Sequence, residues 1–161
     1  MKDENLKFRP AVRADLEGIV SMLADDSLGR NRENPALPLE RSYEEAFLAI
    51  SEDPNDELIV AEADGQLAGV LQLTLLPSIT HRGSWRAMIE GVRTASTLRG
   101  RGIGRELIRH AIGLAEERGC RLVQLTTDKS RPDAIRFYEG LGFRPTHEGM
   151  KLRLDKEVVK E

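Results

Sequence analysis

The pattern of apolar and polar positions divides the first half of the chain into short strand-like and helix-like segments. A strand is predicted at residues 7–11, and apolar side chains at helical spacing predict a helix from residue 15 to about residue 26. Residues 27–40 lack apolar periodicity and are rich in asparagine and proline, so a long loop is expected there. A second helix is predicted at about residues 42–51.

Two apolar runs in the middle of the chain have the composition of β-strands. Residues 58–63 and 67–75 flank the dipeptide Asp64-Gly65, which is typical of a two-residue hairpin turn, so the two runs are expected to pair antiparallel. After a connecting loop at residues 77–83, partial alternation predicts another strand at residues 85–94.

The most regular helical pattern covers residues 102–118, with Gly119 as its stop signal. A buried strand is predicted directly afterwards, at residues 122–127. A strand, a glycine loop, a helix and a strand in this order predict a parallel, right-handed crossover. The loop between residues 94 and 102 would then lie at the carboxyl end of a parallel strand, where open sheets bind ligands.

The last predicted elements are a helix and a pair of closing strands. The helix begins at Pro132, which suits a first helical turn, and ends near residues 140–142. Residues 143–146 and 150–154 are expected to form the closing strand pair, and the charged residues 155–161 a frayed terminus.

A glycine-rich run lies between the predicted strand at 85–94 and the helix at 102–118. It reads Arg99, Gly100, Arg101, Gly102, Ile103, Gly104 and Arg105. Glycines leave backbone N–H groups uncovered and the helix dipole is positive at the same end, so the run is suited to bind an anion such as a phosphate. The alternative is a helix cap with solvated arginines. The run fits neither the dinucleotide-binding fingerprint nor the ATP-type phosphate loop.

Two motifs together resemble the GCN5-related N-acetyltransferase (GNAT) family. Arg99, Gly102 and Gly104 match the pattern Arg/Gln-x-x-Gly-x-Gly/Ala of that family's acetyl-CoA pyrophosphate loop. Residues 133–143 match the ending Ala-x-x-Phe-Tyr-x-x-x-Gly-Phe about thirty residues later. The resemblance implies a mixed α/β (α+β) fold in a single domain, residues 1–161 with a core at about 7–154. It further implies a twisted sheet of six to seven strands, about four helices, and splayed parallel strands that form the acetyl-CoA cleft.

The resemblance also implies direct transfer of an acetyl group from the cosubstrate acetyl-CoA to a primary amine. The backbone of Val92 and Thr94 would pair with the pantetheine arm. The expected acetyl-CoA-binding residues are Val92, Arg93, Thr94, Arg99, Gly100, Arg101, Gly102, Ile103, Gly104 and Arg105.

Two side chains are candidates for proton transfer. The attacking amine must lose a proton, and Glu90 lies two residues before Val92 on the strand that borders the cleft, so it is the candidate general base. Its alternative is a solvated strand residue. Tyr138 occupies the position where many relatives protonate the departing thiolate, and its alternative is a packed tyrosine bonded to the backbone.

One position departs from the family pattern. Many members carry asparagine three residues before the motif alanine, where this chain has Arg131. Arg131 and Lys129 either reach the phosphates of coenzyme A or are solvated.

Composition limits the other possibilities. The chain has 161 residues, a formal net charge of -3 and a pI near 5.7, which argue against a binder of duplex nucleic acid. No signal peptide and no apolar run of the roughly 18 residues that a membrane span requires is visible, so a cytoplasmic protein without membrane contact is expected. Cys120 is interpreted as a small buried hydrophobe. No histidine, cysteine or carboxylate spacing indicates a metal.

The acceptor is expected to be a small-molecule or peptide amine, and a homodimer is possible. The acceptor site would be lined by the first helix, the loop at 27–40 and the segment at 78–86, where Trp85 either stacks on a ligand or fills the core. Acidic loop residues could attract the amine or be plain surface charges: Asp25, Asp26, Glu33 and Glu40. Non-catalytic acetyl-CoA sensing and, less well supported, nucleotide binding are the alternatives.

Overall fold

The structure, a computed structural model, describes residues 5–155 and contains a five-stranded mixed sheet in the order β1-β2-β3-β4-β5. The strands are β1 (Leu6–Pro10), β2 (Asp56–Ala63), β3 (Gln66–Pro77), β4 (Trp85–Thr94) and β5 (Leu122–Leu125). The helices are α1 (Leu16–Ala24), α2 (Gly29–Arg32), α3 (Arg41–Glu52), α4 (Thr80–Gly83), α5 (Ile103–Glu117) and α6 (Pro132–Glu139). Neighbouring strands from β1 to β4 are antiparallel, and β5 is parallel to β4.

The hairpin of β2 and β3 turns at the predicted dipeptide. Asp64 and Gly65 both have positive φ angles, 51° and 76°. A two-residue turn with left-handed conformation at both positions matches the right-handed twist of the strands that it joins. The local signal therefore sets the turn of the hairpin, whose register then shifts between Ala61 and Glu62, and the hairpin prediction is confirmed.

Helices cover both faces of the sheet. On one face α5 buries an apolar stripe against the strands, and its buried residues are Ile103, Leu107, Ile108, Ala111 and Ala115. On the other face Ile19 of α1 packs against Val60 and Val70. Each strand side chain can therefore be assigned to the α5 face or to the α1 face.

A β-bulge in β4 changes which side chains share a face. Gln72 of β3 lies opposite Glu90, and Val70 lies opposite Arg93. The chain therefore advances two positions on β3 but three on β4, which leaves one extra residue on β4. The extra residue follows Glu90 at Gly91, whose φ of 60° is a left-handed conformation that suits glycine. The bulge interrupts the simple alternation that the sequence predicts for this strand.

The bulge separates two groups of residues. Val70 packs on α1, so its partner Arg93 lies on the α1 face. The neighbours of Gln72 on β3, Leu71 and Leu73, belong to the core on the α5 face, so Gln72 itself lies on the α1 face. Its partner Glu90 therefore lies on the α1 face as well. Val92 packs against the α5-side core instead. Glu90 and Arg93 are therefore neighbours on one face, and Val92 is on the other.

The two parallel strands pair along only part of β4. The register runs from Arg86 opposite Leu122 to Ile89 opposite Leu125, and β4 then continues to Thr94. Within residues 5–155, no strand pairs with the outer edge of β4 over residues 90–94. The family resemblance predicts the acetyl-CoA cleft at this unpaired part of β4.

The expectation of six to seven strands is wrong for the described residues, which form five. Residues 143–146 and 150–154 form no strands. In the second segment Met150, Leu152 and Leu154 are 94%, 87% and 88% exposed, because no strand of residues 5–155 pairs with that segment to bury its apolar side. A strand requires such a partner for its backbone groups.

The four predicted helices are confirmed as α1, α3, α5 and α6. The two further helices, α2 and α4, are single turns in predicted loops, and α4 contains left-handed residues at His81 and Arg82. The predicted frayed terminus lies outside the described residues apart from Asp155. No helix in the described part of the chain has the length and apolar character to cross a bilayer.

Candidate active site

The glycine-rich run forms a tight turn between β4 and α5. Gly100 and Gly102 have φ angles of 79° and 80°, which L side chains rarely adopt. A Cβ atom at either position would meet nothing within 4 Å. These two glycines are therefore required by the backbone conformation and not by a lack of space.

The turn leaves the first amides of α5 without acceptors. The first intrahelical bond runs from Glu106 N to Gly102 O at 3.1 Å, and no side chain caps the helix. The N–H groups of Ile103, Gly104 and Arg105 precede that bond, so α5 supplies none of them with an acceptor. With the positive end of a fifteen-residue helix dipole behind them, they form a site for an anion such as a diphosphate.

Gly104 holds three elements close together. A Cβ atom at Gly104 would lie 3.3 Å from Thr94 Oγ1 and 3.6 Å from the Phe137 ring. The end of β4, the start of α5 and α6 therefore meet at this glycine. A β-branched side chain here would collide with protein atoms as well as obstruct the amides.

The predicted cofactor-binding residues divide into two groups. The loop residues, Val92 and Thr94 are grouped beside the start of α5. Arg99 donates a hydrogen bond to the carbonyl of Asp25 at 3.2 Å, which ties the loop to the end of α1. The side chain of Arg93 lies on the opposite face of the sheet and pairs with Asp26. Its side chain is therefore engaged by Asp26, next to the Asp25 carbonyl to which Arg99 of the loop bonds.

Glu90 is exposed on the α1 face of β4, beside the edge that no strand of residues 5–155 pairs with. Within residues 5–155, its carboxylate has no hydrogen-bond or ion-pair partner. A free, accessible carboxylate suits a general base and equally a solvated strand residue, so the role of Glu90 stays a prediction.

Tyr138 lies in α6 between two aromatic rings. Its ring makes edge-to-face contacts with Phe137 at 5.1 Å and with Phe143 at 5.9 Å. Burial raises the pKa of Tyr138, and the nearby charges of Arg93 and Arg131 act in the opposite direction. The phenol is therefore protonated at neutral pH. No backbone group within residues 5–155 bonds to its hydroxyl, so it is not tied to the backbone there.

An ion cluster that the sequence analysis missed lies beside these residues. One oxygen of Asp26, Oδ2, is 2.9 Å from Arg131 Nη2 and 3.1 Å from Arg93 Nε. The other oxygen accepts a hydrogen bond from the amide of Gly29. Burial raises the pKa of Asp26, but the Gly29 amide and the two arginines outweigh it and hold that pKa below its usual range.

The positions around the departure from the family pattern have protein partners. Arg131 bonds to Asp26, and Lys129 Nζ lies 2.7 Å from a carboxylate oxygen of Glu148 on the surface. Lys129 is exposed, as the solvated alternative expects, whereas Arg131 is engaged by Asp26; a contact of either side chain with coenzyme A stays a prediction. The two interacting residues of the Arg131–Asp26 bond are 105 positions apart, so no local pattern could have shown it.

The acidic residues of the long loop are mostly engaged with their own surroundings. Glu33 accepts a hydrogen bond from the hydroxyl of Tyr43 at 2.7 Å, and Glu40 accepts one from Asn34 at 2.8 Å. Trp85 is 36% exposed at the start of β4, about 17 Å along the strand from Glu90. Trp85 therefore does not fill the core.

An open groove of about 430 Å³ lies between the end of α1 and the turn that follows β4. Its lining residues are Ser21, Met22, Ala24, Asp25, Pro35, Ala95, Ser96 and Thr97. The groove borders the loop at Ala95–Thr97 and is wide enough for a small molecule.

Two further expectations concern reactive groups. Cys120 is half-buried against the core, and burial raises the pKa of its thiol, which disfavours a nucleophilic thiolate. Among residues 5–155, no group of three or more histidine, cysteine, aspartate or glutamate side chains is arranged to hold a metal ion.

The glycine loop, the splayed strands and the tyrosine helix can be compared with known proteins. The profile of the Acetyltransferase (GNAT) family matches residues 23–143. The chain belongs to this family. It is an acyltransferase that depends on acetyl-CoA, in line with the anion site at the start of α5.

The curated relatives are named as acetyltransferases, whereas one similar solved structure has a different description. The chain is 29% identical to the aminoalkylphosphonate N-acetyltransferase of Salmonella typhimurium over 107 residues, 66% of this chain and 69% of the relative. It spans only 48%, 23% and 38% of three other curated relatives. A solved structure described as a transcriptional regulator from Bacillus halodurans C-125 is 56% identical, with a TM-score of 0.90 over 92% of this chain and 99% of that chain.

A further solved structure contains the cosubstrate. An acetyltransferase from Clostridium acetobutylicum with acetyl-CoA bound superimposes with a TM-score of 0.70 over 92% of this chain and 96% of that chain. Its identity is 21%, so the likeness establishes the shared fold.

Proposed function

We propose that this chain transfers the acetyl group of acetyl-CoA directly to a primary amine of a small molecule or peptide. One observation carries the proposal: the edge of β4 at residues 90–94, which no strand of residues 5–155 pairs with, ends beside the uncapped amides of α5. The edge offers backbone groups to the pantetheine arm, and the amides offer donors to the diphosphate. The thioester would then lie in the cleft near Glu90.

The reaction forms one C–N bond, breaks one C–S bond and moves protons. The neutral amine nitrogen attacks the thioester carbonyl carbon, the C–N bond forms and the C–S bond breaks. The proton that the amine loses passes to Glu90, directly or through water. The sulfur leaves as a thiolate and is finally protonated, so the products are the amide and coenzyme A.

The role proposed for Tyr138 is to donate a hydrogen bond to the departing sulfur. The pKa of Tyr138 is raised above that of an ordinary phenol by burial, whereas an ordinary thiol has a pKa of about 8.5. Complete proton transfer from this phenol to the thiolate is therefore unfavourable by about 2 kcal/mol or more. A hydrogen bond to a charged group contributes about 1.5–3 kcal/mol, which corresponds to roughly 10- to 150-fold in rate.

Thiol release from acetyl-CoA over a panel of primary amines tests the proposal. The wild type should acetylate at least one amine much faster than Glu90→Gln does, and Tyr138→Phe should lower kcat by the fold-change given above while acetyl-CoA binding is retained. A wild type no faster than Glu90→Gln on every amine would contradict the catalytic assignment.

The alternative is an acetyl-CoA sensor or regulatory module without turnover. The description of the Bacillus halodurans protein as a transcriptional regulator favours it. The name of the Salmonella typhimurium relative, in contrast, specifies a small aminoalkyl acceptor and supports a small-molecule substrate. A sensor would bind acetyl-CoA in calorimetry but release no thiol with any amine.

We also propose that two copies of the chain associate through residues 150–154. The exposed side chains of Met150, Leu152 and Leu154 alternate with charged residues, which is the pattern of a strand with one apolar face. Light scattering should give a dimer for the wild type and a monomer for Leu152→Lys. A monomeric wild type at micromolar concentration would contradict this.

A further inference from the structure

Two arginines share one carboxylate where the end of α1, β4 and the start of α6 meet, and the charge of a third, Arg32 of α2, acts on Arg93 and Asp128 nearby. We name Arg32, Arg93 and Arg131 the arginine cluster. Arg93 and Arg131 share a single oxygen of Asp26. The second nearby acid, Asp128, accepts hydrogen bonds from the amide and hydroxyl of Ser130. The two acids therefore leave the cluster with an excess of positive charge.

The hydrogen-bonding capacity of the arginine cluster is not filled by the protein. Arg93 donates one hydrogen bond, from Nη1 to the carbonyl of Val92 at 2.8 Å. Its Nε is buried and makes no hydrogen bond, although it lies 3.1 Å from Asp26 Oδ2. Arg32 is exposed and forms no ion pair with any carboxylate of residues 5–155. Unsatisfied guanidinium donors of this kind fit the oxygens of an anionic ligand.

Burial and charge repulsion both act on the central arginine. Burial lowers the pKa of Arg93, Asp26 raises it, and the positive charges of Arg131 and Arg32 lower it again. An added anion would relieve this repulsion and supply acceptors for the open donors.

The arginine cluster lies on the side of the sheet that carries Glu90. The bulge in β4 brings Arg93 and Glu90 to the same face, about 10 Å apart along the strand. The uncapped amides of α5 already offer donors to the diphosphate of acetyl-CoA, and the loop before them reaches the end of α1 through the bond from Arg99 to the Asp25 carbonyl. Because Arg93 shares a face with Glu90, an anion at the cluster is suited to be part of the acceptor, and the effect of the cluster on CoA affinity distinguishes it from the cosubstrate.

We propose that the acceptor amine carries an anionic carboxylate or phosphoryl group, which Arg32, Arg93 and Arg131 bind so that the amine reaches Glu90. This inference rests on the proposed function. Because Glu90 and Arg93 are three residues apart on one strand, the amine and the anion of the acceptor are expected to be separated by only a few bonds.

Calorimetry with the CoA-saturated protein tests the binding without requiring turnover. The probes are 2-aminoethylphosphonate and β-alanine, amines that also carry an anionic group, with propylamine as the counterpart that lacks the anionic group. At least one anionic probe should bind at least tenfold more tightly than propylamine. Arg32→Gln and Arg131→Gln should remove about tenfold of that affinity, and Arg30→Gln, an exposed arginine on the same turn, should not.

The outcomes separate the inference from the function on which it rests. Equal binding of the probes with and without an anionic group, or no binding of any of them, would overturn the inference. Loss of CoA affinity in Arg32→Gln would also overturn it, since the cluster would then serve the phosphates of the cosubstrate. Selective binding of an anionic probe with no thiol release would sustain the inference and contradict the proposed transfer reaction. Arg32 is exposed, so its variant is expected to fold even where Arg131→Gln does not.

Discussion

Replacing Gly102 by alanine should damage the anion site without creating a clash. The φ of 80° at this position is left-handed, and a Cβ atom there would meet no atom within 4 Å. The cost is therefore conformational, about 1–2 kcal/mol for an L residue. The backbone can relieve that strain only by rotating the turn that directs the amides of Ile103 and Gly104.

Two measurements separate the consequences of Gly102→Ala. Urea unfolding should show a loss of about 1–2 kcal/mol in the free energy of unfolding. Titration calorimetry should show CoA binding weakened by roughly 10- to 150-fold, the equivalent of one charge-assisted hydrogen bond. The affinity loss is larger than a uniform loosening of the fold would give, because binding is measured on folded protein.

Gly113→Ala is the matched control within the same helix. Gly113 lies in the middle of α5, has no positive φ, and a Cβ atom there also meets nothing within 4 Å. Alanine in a helix interior should stabilise the protein by about 0.5–1 kcal/mol and leave CoA affinity unchanged. If Gly102→Ala is folded and binds CoA as tightly as Gly113→Ala does, the reasoning from the turn geometry is refuted.

Three further changes probe the scaffold. Asp15→Asn should lose roughly 1–2 kcal/mol at pH 7, because the Asp15 carboxylate accepts hydrogen bonds from Arg9 at 2.7 and 3.0 Å. The hydrogen bonds from Arg9 lower the pKa of Asp15. This stabilisation is therefore present above about pH 4 and disappears as the pH falls through the lowered pKa. Equal stability of the wild type and Asp15→Asn at pH 7 would refute this prediction. Leu107→Ala, in the fully buried core, should cost about 2–5 kcal/mol in urea unfolding, and a loss below 1 kcal/mol would contradict its packing. Gly29→Ala would put a Cβ atom 1.9 Å from the carbonyl oxygen of Leu23, so a lower Tm is expected, and an unchanged Tm would show that the turn is placed differently.

Local signals predicted most of the elements. The Asp64-Gly65 turn, the apolar stripe of α5 and the first-turn proline of α6 each act within a few residues of the chain, and the structure places each of these elements where the pattern predicts it. The glycine run predicted an anion site for the same reason, since positive φ angles and uncapped amides are properties of that segment alone.

Long-range features could not be predicted in this way. The bulge at Gly91 shifts the β4 register, so the alternation of the sequence groups Glu90 with Val92 while the structure groups it with Arg93. The pairing of Asp26 with Arg131 joins residues far apart in the chain. The closing strands were predicted at residues 143–146 and 150–154, but within residues 5–155 neither segment pairs with a strand.

The central claim is that the amides at the start of α5 bind the diphosphate of coenzyme A. Calorimetric titration of the wild-type protein with CoA and with pantetheine, which lacks the diphosphate and the nucleotide, tests it most directly. We predict that CoA binds at least a hundredfold more tightly than pantetheine and that inorganic pyrophosphate competes with CoA. Equal affinity for the two ligands, or CoA binding that pyrophosphate does not weaken, would contradict the claim.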